Sequence, residues 1–468
     1  MNSQIKIEYV NVESINWFVM STSKVSCFQN PSVKYDGNDD DVVKYLSSLW
    51  RSNNSDFSLK FNTEFNDFDD SFNLLKFKKE LSRVSDNLVF RGNFAGYTDK
   101  LEKEMSLTKK SIVLNRDSCQ ILYFCLHDFI KHDCIREEIF KKIKYADIFI
   151  KHKSGDNCVP KNFRYLSNHS NIFKIIDKFW TNNLINVLEK NKSLPDKSII
   201  RNNFSREYSV SIRDLAIEKL KRYLHNKKIV LLDVSKAFDN VQWPSLIELV
   251  TNNISRKVNE NFAKKIMKQY MFLNTNRVIK YNENTIEFSK SIATGLPSST
   301  IIFSLLIEQI IYQWSKTDEI KNYSNKFIIN TFVDDMYLEF IETENSLKII
   351  KSLISYLESY GLIINQEKTK TNIVFLPFSK IDKTDCYLGL PFARNKKDYI
   401  LECIKLFQKK YYDINIAEII KILEKNTNEK VKKEIIGFFN YKLYGLLNFE
   451  VKEIDVLNIF KSFEKKNK

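Results

Sequence analysis

The sequence predicts an α+β fold, on three observations. Lys228-Ile229-Val230-Leu231-Leu232-Asp233 is a β-branched apolar run that ends on a carboxylate, the composition of a strand that delivers an acid to a site. Two further strand-like runs, Lys326 to Thr331 and Met336 to Phe340, flank the tetrapeptide Phe332-Val333-Asp334-Asp335 as the arms of a hairpin. Helical spacing of apolar residues runs over 172–188 and 212–224, and a long apolar helix extends from Pro297 through Trp314.

The carboxylates carry the chemistry. Asp334 and Asp335 are adjacent in the chain and repel each other unless a cation holds them; Mg²⁺ is typically bound by one or two carboxylates together with substrate phosphates. A strand ending in Asp233 beside that hairpin presents a third carboxylate. Two metal ions about 3.5–4 Å apart need such converging acids to clamp the attacking and leaving oxygens of a phosphoryl transfer. Phe238 follows Asp233 closely enough for its ring to pack against the sugar of an incoming nucleotide and exclude a 2′-hydroxyl, although a core aromatic after a strand is the commoner role for such a residue. Gly295 allows a turn or close backbone approach, and Pro297 with Ser298 and Ser299 forms a helix entry. Further on, Tyr360 to Lys370 ends a helix and starts a strand, and Tyr387-Leu388-Gly389-Leu390-Pro391-Phe392 reads as a tight hairpin.

In this order the segments resemble motifs A to E of the reverse transcriptase palm. Asp233 and Phe238 match motif A, Gly295-Leu296-Pro297 motif B, and Phe332-Val333-Asp334-Asp335 motif C, as a variant of Tyr-x-Asp-Asp. Asn365 to Thr369 match motif D and Tyr387-Leu388-Gly389 motif E. The resemblance implies a right-hand polymerase with fingers, a ferredoxin-like palm and a helical thumb. It makes Asp233 and Asp334 the principal ligands of two Mg²⁺ ions (Mn²⁺ as the alternative), with Asp335 and the Val234 carbonyl assisting. Phe238 becomes the gate favouring dNTPs, and Lys368 the cation near the triphosphate. Gly295, Pro297 and Ser298 line the nucleotide. One departure stands out: the family's Gly-Leu-Pro-Gln-Gly is here Gly295-Leu296-Pro297-Ser298-Ser299, so ordinary template-directed geometry at motif B is in question while the metal chemistry is not.

The expected organisation is an N-terminal extension over 1–105, fingers over 106–228, a palm over 229–392 and a helical thumb over 393–468. Helices are expected at 400–412, 416–423, 431–447 and 454–463. The fingers segment reads as helix-rich, and Lys161, Arg164, Arg201 and Arg206 are its candidates for template and triphosphate contacts. In the extension, 5–10 alternates like a strand and 74–84 reads as a helix. The acidic run Asp36 to Asp41 fails the calcium-loop pattern, with Asp41 where Gly is needed and Ser47 where Glu is needed, and reads as a solvated loop.

Lys+Arg 73 against Asp+Glu 58 leaves a net charge of +15, suited to a phosphate-rich partner such as an RNA template or associated non-coding RNA. Seven cysteines without a Cys-x-x-Cys pair indicate free thiols and a reducing, cytoplasmic setting. Cys125, His127, His132 and Cys134 carry zinc-type side chains on what reads as an amphipathic helix, and lack the paired spacing of a structural site. No apolar stretch approaches the roughly 20 residues that span a bilayer.

No domain for integration or RNA removal is legible after the thumb. With the altered motif B and the long N-terminal segment, the resemblance is to bacterial enzymes of abortive-infection and defence-associated type, related to those of retrons. That implies antiphage defence, with templated, untemplated or protein-primed synthesis from dNTPs. A homo-oligomer or a second defence subunit fits the same resemblance. Two other readings stand beside it: a catalytically silent polymerase fold kept as an RNA-binding scaffold, and a nucleotide cyclase. The cyclase predicts a Gly-Gly-Asp/Glu-Glu-Phe turn, which the chain lacks.

Overall fold

A computed structural model describes residues 34–51, 88–90, 112–114, 125–126, 128–130, 132–153, 155–191, 200–201, 212–275, 277–410, 415–425, 429–447 and 453–467. The expected strand at 5–10, the helix at 74–84, His127 and Arg206 lie outside them. In chain order the elements are α1 (Asp39–Trp50), β1 (Leu88–Phe90), β2 (Ile112–Leu114), α2 (Glu137–Ile143), β3 (Tyr145–His152), β4 (Phe163–His169), α3 (Asn171–Asn191), β5 (Ile200–Arg201) and α4 (Ile212–Leu224). Then follow β6 (Lys228–Asp233), α5 (Trp243–Lys257), α6 (Glu260–Thr275), β7 (Val278–Tyr281), β8 (Asn284–Ile286), α7 (Pro297–Ser315), β9 (Phe327–Phe332), β10 (Asp335–Phe340) and α8 (Ser346–Ser359). The chain closes with β11 (Lys370–Thr371), β12 (Ser379–Lys380), β13 (Cys386–Tyr387), β14 (Leu390–Pro391), α9 (Lys396–Lys410), α10 (Ile416–Lys425), α11 (Glu429–Leu447) and α12 (Glu453–Asn467).

The described residues divide into two compact units, one drawn from 35–193 and 238–309 and the other from 194–237 and 310–468. The first contains a four-stranded sheet in the order β4-β3-β7-β8. Along β4 the burial alternates strictly, with Phe163, Tyr165, Ser167 and His169 inward and Arg164, Leu166 and Asn168 outward, the period-two pattern of a half-buried strand. The segment read as helix-rich before residue 230 holds the helices α2, α3 and α4 and also contributes β3 and β4 to this sheet.

A correction concerns Asp36 to Asp41. Asp39, Asp40 and Asp41 are the first turn of α1, with Asn38 as its cap accepting from the Asp40 amide at 3.0 Å. Acids at the positive end of a helix dipole are favourable. Val42, Leu46 and Trp50 form the buried stripe.

The second unit is built on a six-stranded sheet in the order β12-β11-β6-β10-β9-β5. β10 lies antiparallel to both β6 and β9, and β11 antiparallel to β6. The central strands are apolar on both faces, β10 running buried from Met336 to Phe340, as expected for strands covered on two sides. One apolar cluster joins Tyr223 of α4, Ile229, Tyr337 and Phe392 to Tyr399, Phe407, Phe439 and Phe460 of the C-terminal helices. Those four helices fall where the periodicity put them, to within a few residues at each end.

Candidate active site

Across the antiparallel pair β6–β10, Asp233 is the register partner of Asp335. Asp335 also pairs with Phe332, so only Val333 and Asp334 form the loop between β9 and β10. Val333 has φ of 57°, the left-handed conformation that primed hairpin turns require and that Gly normally supplies. A β-branched residue there stores on the order of 1–2 kcal/mol, which the ladder on both sides of β10 sustains. The turn places Asp334 at the tip, immediately before the rung that joins Asp335 to Asp233.

The electrostatics follow from that proximity. Asp335 keeps an exposed face, yet the protein around it and the charges of Asp334 and Asp233 push its carboxyl up to about 6. Burial also raises the Asp233 carboxyl, and the Lys368 ammonium partly offsets that rise. Among the described residues no set of three or more His, Cys, Asp and Glu side chains forms a ready-made metal cage. The donor set nevertheless fits a hard cation: acceptor-only carboxylates held against mutual repulsion, of the kind Mg²⁺ shares with substrate phosphates.

The segment that carries Lys368 is tied to the same strand end. Val234 bridges Ile364, the Ser235 amide donates to the Ile363 carbonyl at 2.8 Å, and the Asn365 amide to the Asp233 carbonyl at 2.8 Å. Asn365 Oδ1 then accepts from the Lys368 amide at 3.2 Å, and the Thr369 hydroxyl donates back to the Asn365 carbonyl at 2.8 Å. This capped turn leaves Lys368 exposed. At the other motif, β13 and β14 close the expected hairpin, Tyr387 opposite Leu390. Its two turn carbonyls accept from α11, Leu388 from the Tyr441 hydroxyl at 2.8 Å and Gly389 from the Lys442 ammonium.

Phe238 and the candidates from Gly295 to Ser298 lie in the first unit. Phe238 is half-buried, its ring stacked on that of Phe303 at 4.8 Å and 23°. Gly295 has φ of 92°, and a Cβ there would come within 2.7 Å of the Ser167 carbonyl oxygen; only glycine fits. Next to it, the Thr294 hydroxyl donates to the Tyr165 carbonyl at 2.9 Å, which fastens the Gly295-Leu296-Pro297 turn to β4. Pro297 opens α7, where its missing N–H costs nothing.

Ser298 does not face solvent. It is buried, and its hydroxyl and amide donate to the two oxygens of Asp177 at 2.6 and 2.9 Å. Asp177 therefore caps α7 from a different helix. Its complete burial pushes its carboxyl up to about 6, against the lowering effect of the Ser298 bonds. Sequence reading missed Asp177; the signal was a carboxylate set on the buried face of α3 beside Phe173, Ile176 and Trp180. Ser299 is likewise buried and donates to the Ala293 carbonyl.

Lys161 and Arg164 are both exposed, Arg164 opposite Lys151 on the outer face of the four-stranded sheet. Arg201 ends β5, in register with Asn330 of β9. Of the zinc-type residues, Cys125 and Cys134 are buried thiols outside any disulfide, and Asp128 between them pairs with Arg136 at 2.9 Å.

The family model for reverse transcriptase (RNA-dependent DNA polymerase) matches residues 150–392, more than half of the chain. The chain belongs to the reverse transcriptase family. Its mixed α and β architecture is the polymerase-like fold of that family, whose members are nucleotidyltransferases and generally use divalent metals. Among solved structures it is similar to apo telomerase from Candida Tropicalis, at 15% identity and a TM-score of 0.36 over 65% of this chain and 58% of that one. It is also similar to the RNA-dependent RNA polymerase of a human picorbirnavirus, at 12% identity and a TM-score of 0.40 over 68% and 65%. The chain thus spans less than two thirds of the length of these structures. No helix among the described residues is long and apolar enough to cross a membrane.

Proposed function

We propose that this chain is a DNA polymerase that transfers nucleotides from dNTPs with two Mg²⁺ ions at Asp233, Asp334, Asp335 and the Val234 carbonyl. The observation that carries the proposal is the rung joining Asp233 to Asp335 with Asp334 on the adjoining turn. Bound there, divalent ions would stabilise the charge on the attacking and leaving oxygens of the phosphoryl transfer. Asp233 and Asp334 act as the principal ligands and Asp335 as an assisting one. Lys368, exposed on its capped turn beside Asp233, faces the triphosphate and stabilises charge on the departing pyrophosphate. Phe238 rejects a 2′-hydroxyl, and the Gly295–Pro297 turn supports the nucleotide. Lys161 and Arg164, with Arg201 and Arg206, hold the template backbone or the triphosphate.

The template is RNA, a partner supported by the family and by the charge of +15, or synthesis proceeds without one from a protein hydroxyl. Replacement of the family's Gln-Gly by Ser298-Ser299, both buried, supports the untemplated variant. The same replacement, with the long segment before the matched region, supports a role in cytoplasmic antiphage defence of abortive-infection type.

Purified protein supplied with Mg²⁺ and labelled dNTPs, with and without RNA, tests the activity. RNA-dependent DNA establishes reverse transcription, and DNA that migrates with the protein after RNA removal establishes protein priming. A second reading, a silent scaffold or RNA-binding subunit, draws support from the Ser298 hydroxyl being committed to Asp177. An Asp334→Ala, Asp335→Ala protein that keeps its biological activity would establish it.

A further inference from the structure

We infer that Trp50 and Asp239 set the discrimination between deoxyribose and ribose, by fixing the backbone that carries the Phe238 ring. The inference rests on the reading of Phe238 as the sugar gate.

The Trp50 indole N–H donates to Asp239 Oδ1 at 3.0 Å, a bond between residues 189 positions apart. Trp50 is 4% exposed, and a donor aimed at a carboxylate in a partly buried place is stronger than a neutral pair. Asp239 directly follows Phe238. The two carbonyls of this dipeptide are held as well: the Phe238 oxygen accepts from the Ile292 amide at 3.0 Å, and the Asp239 oxygen from the Ser291 hydroxyl at 2.7 Å. The segment that supplies those donors is fastened to the same helix end, because the Ser289 and Lys290 amides both donate to the Trp50 carbonyl, at 2.9 and 3.0 Å. Trp243 holds Ser291 from the other side, its indole donating to the Ser291 carbonyl at 2.9 Å.

α1 is anchored at its far end too. Asp39 accepts from the Tyr281 hydroxyl at 3.0 Å and from the Asn282 amide nitrogen. A helix tied at both ends is a strut, and its last side chain reaches the residue beside the gate. The Phe238 ring is stacked on that of Phe303, and its position over a sugar depends on where its backbone is held. Misplacement of a positioned group by a fraction of an ångström changes discrimination before it changes folding. Trp50 and Asp239 are positioning residues in this scheme and touch no reacting atom.

The experiment is steady-state incorporation of a dNTP and the matching NTP by the full chain with Mg²⁺, comparing kcat/KM for the two. Trp50→Phe keeps the ring and removes the donor. It should lower the dNTP-to-NTP ratio about three- to tenfold, the effect of losing one such hydrogen bond, while dNTP use stays within about twofold. Asp239→Ala should match it, Asp239→Asn, which keeps an acceptor, should restore the ratio, and the Trp50→Phe, Asp239→Ala pair should not exceed the single changes. The ratio is internal to each preparation, so partial misfolding cannot imitate the result. An unchanged ratio in Trp50→Phe, or an equal loss for both nucleotides, overturns the inference. Phe238→Ala separates the levels: if it lowers the ratio while Trp50→Phe does not, only the positioning role falls. If Phe238→Ala leaves the ratio unchanged, or the wild type incorporates nothing, the gate reading falls and the inference with it.

Discussion

Asp233 and Asp335 face each other across one rung of an antiparallel ladder, the last residue of β6 opposite the first of β10. The pairing brings a third carboxylate to the two on the β9–β10 turn without any loop having to fold over the site. It also concentrates negative charge, which adds to the effect of burial in pushing the Asp335 carboxyl up to about 6.

Mg²⁺ should therefore stabilise the fold. A ligand that binds only the folded state adds about 2.7 kcal/mol at a hundredfold excess over its dissociation constant. Thermal unfolding with increasing Mg²⁺ should show a rising midpoint for the wild type and a flat one for the Asp233→Ala, Asp334→Ala protein. A midpoint that rises equally in both would place the cation elsewhere.

Asp177 should make stability fall with pH in the acid range. Its folded carboxyl, at about 6, lies above its ordinary value of 3.8, so the folded state holds the proton more tightly than the unfolded chain. The contribution is fully present below about pH 4 and is lost as pH rises through 6, a change on the order of 3 kcal/mol. Urea unfolding at steps between pH 4 and 7 should show this decline in the wild type and a flatter profile in Asp177→Asn. An identical slope in both would remove Asp177 as the cause.

Gly295→Ala should destabilise the protein by about 2 kcal/mol or more, because the added Cβ meets the Ser167 carbonyl oxygen at 2.7 Å in a left-handed backbone. A urea midpoint within error of the wild type would mean the turn can move aside at no cost. If it does move, incorporation should suffer although no catalytic carboxylate has changed.

Lys257 and Glu308 form a buried ion pair at 2.7 Å, both side chains within 4% of full burial. Lys257→Met alone should cost about 3–5 kcal/mol by stranding a carboxylate, and Lys257→Met with Glu308→Leu should recover much of that. Chemical denaturation of the single and double variants measures the coupling. Additive losses would show that the pair is packing and not charge.

What could be read from the sequence was local. β6, β9, β10 and α7 announce themselves through runs of β-branched or apolar residues long enough to show a period, and the acids stand at their ends. The C-terminal helices are legible for the same reason. β5 and β11 are two residues long and exist because a neighbouring strand offers a ladder, so no local pattern encodes them. Asp39 to Asp41 misled because their charge suggests solvation, whereas a capped helix start uses that charge. The Trp50–Asp239 and Asp177–Ser298 bonds join positions 189 and 121 apart, and only the folded chain brings such pairs together.

The most direct test of the central claim is nucleotide incorporation by the full chain with Mg²⁺ and dNTPs, wild type against Asp334→Ala, Asp335→Ala. The expected result is labelled DNA from the wild type and a loss of at least about a thousandfold in the variant, the scale of removing transition-state charge stabilisation, with its fold intact. Equal incorporation by both proteins would contradict the assignment of the carboxylates to catalysis. Absence of product from either, with the biological effect preserved in the variant, would mean that the fold serves as a scaffold.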